Sequence, residues 1–316
     1  MASDKRYNSY ADHIKEKYGK RLQKLVIDAG FTCPNRDGSL SRGGCTYCDN
    51  NAFHPNYSTP DKSIWQQIEE GIVFHRVRYP GASDYLAYFQ PYSNTYAPLE
   101  KLKELYSQAL AHPNVKGLVI GTRPDCIDER KLDYLAGLSK EKIVILELGI
   151  ESCYDATLEH INRHHTWKQA EDAVSMAAER GITTGAHFIF GLPGETVPMM
   201  MDMAGAINTL KVDSVKFHQL QIIKGTRMEK EFAENPERFV TWTLEGYIDF
   251  FIGFLERLRP DLLIERFAGE VPPRFVNSTP WGKVRNVELL RMLEKRLEER
   301  DTRQGILYGK TKKDRS

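Results

Sequence analysis

Six short strand-like runs, at residues 24–27, 84–89, 117–120, 143–148, 187–190 and 214–220, alternate with amphipathic helical patterns. The clearest of those helical patterns cover 64–78, 99–111, 129–138, 167–180 and 199–210. Apolar residues at strand period giving way to apolar residues at helix period is the mark of βα units, and βα units in series build a parallel sheet. The expected fold is therefore α/β, a partial (βα)6 barrel of the TIM type with extensions at both ends. Such a barrel carries its chemistry at the carboxyl ends of its strands, so function is sought in the residues just after each run. Length agrees, since 316 residues exceed one barrel of about 250 residues. With 41% hydrophobic and 28% charged residues, disordered and fibrous readings are excluded. The longest apolar run, 143–148, is broken by Glu147 and is far short of the ~20 residues of a membrane span. The first 25 residues are charged throughout and show no signal-peptide pattern, which makes a cytoplasmic location the expectation, with a monomer as the default state.

The net charge of +1 hides an asymmetry: residues 1–24 carry +4 and residues 283–316 carry +5, leaving −8 between them. Two basic ends brought together would form a patch for phosphate, although Lys-rich ends are commonly just solvated.

Five cysteines, Cys33, Cys45, Cys48, Cys126 and Cys153, are an odd number without an export signal, so thiols rather than disulfides are expected. Three of them lie in 33-CPNRDGSLSRGGCTYC-48, where eleven residues separate Cys33 from a Cys-x2-Cys pair. Clustered thiolates suit zinc or an iron–sulfur cluster. Three ligands leave one position to fill. His54 would close a Cys3His zinc site in an RNA-binding module, whereas an open fourth position suits an iron–sulfur cluster that binds a substrate or cofactor. The segments after the other runs are polar or glycine-rich: 90-QPYSNT-95, 121-GTRPD-125, 149-GIES-152 and 191-GLPGE-195. Each alone reads as a turn or helix start, with Asp128 as a cap; together on one barrel face they favour a cofactor pocket.

The motifs FTCPNRDG (31–38), GGCTYC (43–48), TRPD (122–125), ELGIES (147–152), INRHHT (161–166) and FGLPGET (190–196) resemble those of radical S-adenosylmethionine (SAM) enzymes. In detail they resemble the radical domain of the catalytic subunit of Elongator and its stand-alone bacterial relatives, over about residues 5–226. The stretch RFAGEVPPR (266–274) is similar to the small bacterial subfamily. The resemblance implies a radical SAM barrel over 24–226, a basic N-terminal extension over 1–23 and a helical, basic C-terminal extension over 227–316.

It further implies that Cys33, Cys45 and Cys48 hold three irons of a [4Fe-4S] cluster whose fourth iron is chelated by SAM. An electron from a reductase or flavodoxin-type donor would then release a 5′-deoxyadenosyl radical. Tyr47 matches the aromatic position near the adenine. Gln90, Ser93 and Asn94 fall where relatives meet the methionine amine, and Arg163 where they meet its carboxylate. Glu151 stands where relatives often carry Gln; it would accept from the ribose or pair with Arg163. Thr122, Asp125, His187 and Gly191 complete the expected cofactor-facing set. Cys126 and Cys153 are expected to be packed hydrophobes, and His218 is either a core residue or part of the barrel mouth.

For substrate, the resemblance points to the C5 side chain of the tRNA wobble uridine. After the sixth run only about 95 residues remain, too few for an acetyltransferase domain, so the substituent would already be present and would be trimmed from carboxymethylaminomethyl to aminomethyl. Lys283, Arg285, Arg291, Lys295 and Arg296 would meet phosphates, and Tyr92 and Trp281 would stack the base. A radical enzyme acting on a small molecule or a protein would carry the same cysteine loop.

Overall fold

The computed structural model of the protein describes residues 5–52, 54–277, 281 and 284–310. Seven parallel strands lie side by side in chain order: β1 (Leu22–Ile27), β2 (Asp84–Phe89), β3 (Val115–Thr122), β4 (Ile143–Glu151), β5 (Thr183–Phe190), β6 (Ser214–Gln219) and β7 (Leu263–Arg266). The six expected runs are all present, most of them longer than the apolar pattern shows. β7 is additional and comes from a stretch expected to be helical. It is four residues long and half charged, so it offers neither length nor periodicity to a reader of the sequence.

The sheet curls into a half-barrel. Lys24 on the first strand reaches Glu265 on the last, Nζ to Oε1 2.6 Å, across the concave face. Helices α1 (Tyr10–Tyr18), α2 (Pro34–Asp37), α3 (Ile64–Arg76), α4 (Leu99–Leu110), α5 (Glu129–Ser139), α6 (Asp155–His160), α7 (Trp167–Glu179), α8 (Val197–Thr209), α9 (Arg227–Glu234), α10 (Leu244–Leu255) and α11 (Asn286–Glu299) complete the chain. The convex face is dry and aromatic toward its C-terminal side. Phe190 and Phe217 stack with centroids 5.2 Å apart and meet Phe251 and Phe254 of α10 edge-on.

The N-terminal stretch is a plug. Ser9 caps α1 by accepting from Asp12 N, and Tyr10 and Ile14 pack on Leu86, Val119, Ile145 and Leu263 inside the sheet's curl. The backbone beside it pairs with the last strand, Ile264 N donating to Asn8 O over 2.8 Å.

The two basic ends do meet, and acidic groups within them pair with some of their cations. Gln304 N donates to Arg6 O, Arg6 pairs with Asp301 at 2.9 Å, and Lys5 pairs with Asp12 at 2.9 Å. Asp128 caps α5, accepting from Lys131 N as the sequence suggested. All five cysteines are free thiols. Among the described residues no helix is long and apolar enough to cross a membrane.

Candidate active site

The cysteine loop leaves the end of β1. Cys33 is the N-cap residue of α2, Pro34 fits the first helical position, and Gly38 ends the turn with φ 95°. Asp37 then bridges Arg42, and Gly43 and Gly44, both at positive φ, return the chain to Cys45. The eleven-residue gap is thus one helical turn and one tight reversal.

The segment 161–166 grips this loop. Thr46 N donates to Ile161 O, and Asn162 Nδ2 donates to Gly44 O over 2.8 Å. Asn35, fully buried, donates through Nδ2 to Asn162 O over 2.6 Å. The three cysteines therefore share one cavity of about 250 Å³ at the carboxyl ends of the strands.

Arg163 lies under the loop. Nη1 is 3.7 Å from Cys45 Sγ, Nη2 donates to Gly149 O, and Glu151 Oε1 is 3.4 Å away. A register shift in β4 between Gly149 and Glu151 re-aims the strand end, with Glu151 at φ 72°. A Cβ at Gly149 would sit 2.6 Å from Glu151 Oε1 and 2.7 Å from Arg163 Nη2, so a larger residue there would displace the ends of both side chains.

The expected residues divide into two groups. Tyr47, Gln90, Ser93, Thr122, Glu151, Arg163 and His187 line the cavity with the cysteines. Asn94, Asp125 and Gly191 do not. Asn94 holds the backbone, Nδ2 donating to Gly121 O over 2.8 Å. Asp125 is occupied by a two-point pair with Arg123, both contacts 2.8 Å, and it is Arg123 that faces the cavity and donates to Arg163 O. Gly191 lies in a neighbouring cavity, its N–H against Met200 Sδ. His54 is not among the cavity's residues; its Nδ1 lies 3.5 Å from Pro55 O. Burial pushes the Cys126 and Cys153 thiols up to about 12, as suits packed and unreactive cysteines.

Below the cysteines the lumen holds charges that sequence reasoning did not assign to the site. Glu147 accepts from Lys24 and Lys216, each at 2.6 Å, and its Oε2 is 3.0 Å from His187 Nε2. Glu265 meets the same two lysines, at 2.6 and 3.2 Å. Burial alone would raise Glu147, but Lys216 and Lys24 hold it well below the usual carboxylate range. Burial pulls Lys216 down to about 8 against the pull of Glu147, which leaves it protonated at neutral pH. The signal was present in the sequence, since a carboxylate interrupting an apolar parallel strand must find a partner inside.

A model of the radical SAM superfamily matches residues 33–207, and a radical SAM C-terminal domain model matches residues 212–299. The chain belongs to the radical SAM superfamily. The Bacillus subtilis protein YtqA is 33% identical over 99% of this chain and 96% of its own length. More distantly, a tRNA uridine(34) acetyltransferase of Methanocaldococcus jannaschii is 29% identical over 35% of this chain and 20% of its own. A solved archaeal Elp3 from Methanocaldococcus infernus shares the fold, with TM-score 0.66 and 15% identity over 90% of this chain and 64% of that one.

The protein is therefore a radical SAM enzyme, using a [4Fe-4S] cluster and SAM, and the Cys3His zinc reading falls. The residues in place suit those groups. Three thiols converge on one cavity, and two buried polar atoms there, Ser93 Oγ and Arg163 Nε, lack a partner among the described residues.

Proposed function

We propose that this enzyme remodels the C5 side chain of the tRNA wobble uridine, converting carboxymethylaminomethyl to aminomethyl. The observation that carries the reading is a second cavity of about 510 Å³, joined to the first through Gln219, Leu220 and Gln221 and walled by Phe232, Phe239, Trp242 and Trp281. Its volume and aromatic walls suit an extruded nucleoside whose C5 substituent points into the lumen. The distant likeness to Elongator proteins and to a tRNA uridine(34) acetyltransferase supports the same substrate class. In this reading residues 24–226 carry the chemistry, 227–316 receive the RNA, and the enzyme works in the cytoplasm.

Cys33, Cys45 and Cys48 would hold the cluster, with Tyr47, Ser93, Glu151 and Arg163 around SAM. When bound, these groups supply hydrogen-atom abstraction and take up one electron. With Glu147 ionised, His187 Nε2–H donates to it, which leaves Nδ1 as the acceptor of a ring that lines the cavity. The glycine-like methylene loses a hydrogen atom and an electron, and the adjacent amine loses its proton to His187 Nδ1. Water adds to the resulting imine, glyoxylate leaves, and aminomethyluridine remains.

The C-terminal helix contributes less phosphate contact than its sequence suggests. Arg296 pairs with Glu245, Asp249 and Glu299, and Lys295 with Glu299. Lys283 lies outside the described residues. Arg285 lines the aromatic cavity, and Arg291 is exposed. Trp281 donates its indole N–H to Trp242 O over 3.0 Å and packs on Tyr247, so it acts as a fixed wall.

The test is anaerobic turnover of reconstituted enzyme with SAM, dithionite and tRNA bearing the carboxymethylaminomethyl group. Aminomethyluridine and 5′-deoxyadenosine are expected together. Continued 5′-deoxyadenosine release with an unchanged nucleoside would overturn the substrate.

A further inference from the structure

The stretch 266–274 has no role in the chemistry above, yet its first residue stands in the lumen. Lys216 pairs with Arg266 across a register shift, so β7 carries one residue more than β6 between Val215 and Lys216. By strict alternation consecutive residues of a strand face opposite ways; the bulge brings both Glu265 and Arg266 to the concave side. Glu265 is there to meet Lys24 and Lys216. Arg266 lines the same cavity as the cysteines, is solvent-exposed, and has no hydrogen-bond or ion-pair partner among the described residues.

The charges decide what it is for. Lys24 and Lys216 are matched by Glu147 and Glu265, two against two. His187 is engaged by Glu147, and His218 is kept neutral by burial and by Arg266 itself. Among the described residues Arg266 is thus a cation at the Lys216 end of the cavity that no carboxylate answers, as Arg36, bound to Cys48 O, is at the cysteine end. Its backbone is fixed on the C-terminal side: Tyr247 donates to Phe267 O over 2.5 Å, and Gln219 brackets Gly269 through Oε1 at 2.8 Å and Nε2 at 3.1 Å. Gly269 permits that seat, because a Cβ there would sit 2.6 Å from His218 Nδ1. A guanidinium on a fixed stretch of backbone and without a protein partner is available to an external anion.

We propose that Arg266, beside His218, is the anion subsite of the active site and takes the carboxylate of the substrate side chain. A guanidinium offers a carboxylate a two-point, charge-assisted contact. The subsite rests on the functional reading above for the identity of its carboxylate but not for the anion's charge. It places the bond to be attacked between Arg266 and the cysteine end of the cavity.

The test compares binding without turnover, in reconstituted enzyme with SAM and no reductant. Anticodon stem-loops carrying carboxymethylaminomethyluridine or aminomethyluridine are titrated by fluorescence anisotropy. Wild type is expected to prefer the carboxylate form by about 10-fold or more, from one charge-assisted two-point contact. R266Q erases the preference and R266K restores part of it. Equal binding of the two RNAs to wild type overturns the subsite.

If neither RNA binds, the tRNA reading has failed on its own, and iminodiacetate tests the subsite. It should raise the thermal midpoint of wild type, while diethanolamine does not, and R266Q should lose the shift. An equal shift in R266Q overturns the subsite. Each midpoint is read against the same variant without ligand, which separates lost binding from lost stability.

Discussion

The two faces of the sheet are built from alternate residues of the same strands yet follow opposite rules. On the convex face Phe190 and Phe217 are fully buried, stacked on each other and edge-on to Phe254 of α10. On the concave face, Lys216 precedes Phe217 by one residue and lies buried among carboxylates. The convex face gains stability simply by leaving water. The concave face bears desolvation costs that only a complete set of partners offsets, and in return it holds fixed charges beside the cofactor cavity.

The sharpest break of this contrast is a matched pair of substitutions. Glu147→Ala leaves two buried ammonium groups with Glu265 as their one carboxylate and is expected to cost about 3–5 kcal/mol. Phe217→Ala opens a cavity and costs a similar 3–5 kcal/mol. Urea denaturation should find the two losses alike, whereas turnover per folded molecule should collapse only for Glu147→Ala. Adding Lys216→Met to a Glu147→Met chain should recover most of the stability without the activity; failure to recover it would mean that the ion cluster is itself a net source of stability.

A smaller effect concerns Glu195, a buried carboxyl held by Ser152 Oγ at 2.5 Å and raised by burial to about 7. The folded protein keeps this proton where the unfolded chain, titrating at the usual 4.5, has already released it. Stability therefore falls as pH rises from about 4.5 through about 7, by up to about 3 kcal/mol. Glu195→Gln should flatten that decline in thermal midpoints recorded across the interval; an unchanged slope would assign the decline to other groups.

The smallest is Asp128→Ala, which removes the cap of α5 on the convex side and should cost about 1 kcal/mol with activity per folded molecule intact.

Much of this was legible in the order of residues. The strand and helix periods foretold the sheet, and the Cys-x2-Cys pair with Cys33 marked the cavity. Legibility ended where a role depended on a neighbour distant in sequence. TRPD suggested Asp125 as the cofactor-facing group, but folding turns Asp125 onto Arg123 and presents Arg123 instead. FGLPGET suggested Gly191, which belongs to the second cavity. The basic ends suggested a phosphate surface, and which of their cations are engaged, Arg6 by Asp301 and Arg296 by Glu245 and Asp249, is seen only in the fold. The seventh strand was hidden because its four residues carry two charges aimed inward.

The sequence alone determined the local periods, the thiol spacing and the family, because each is a property of residues close together along the chain. Only the tertiary structure decided which charges are spent and which remain: Lys24, Glu147, Lys216 and Glu265 come from four different strands, and their neutrality, like the position of Arg266 beside them without a carboxylate, exists only once the sheet has curled and brought them within Coulomb range.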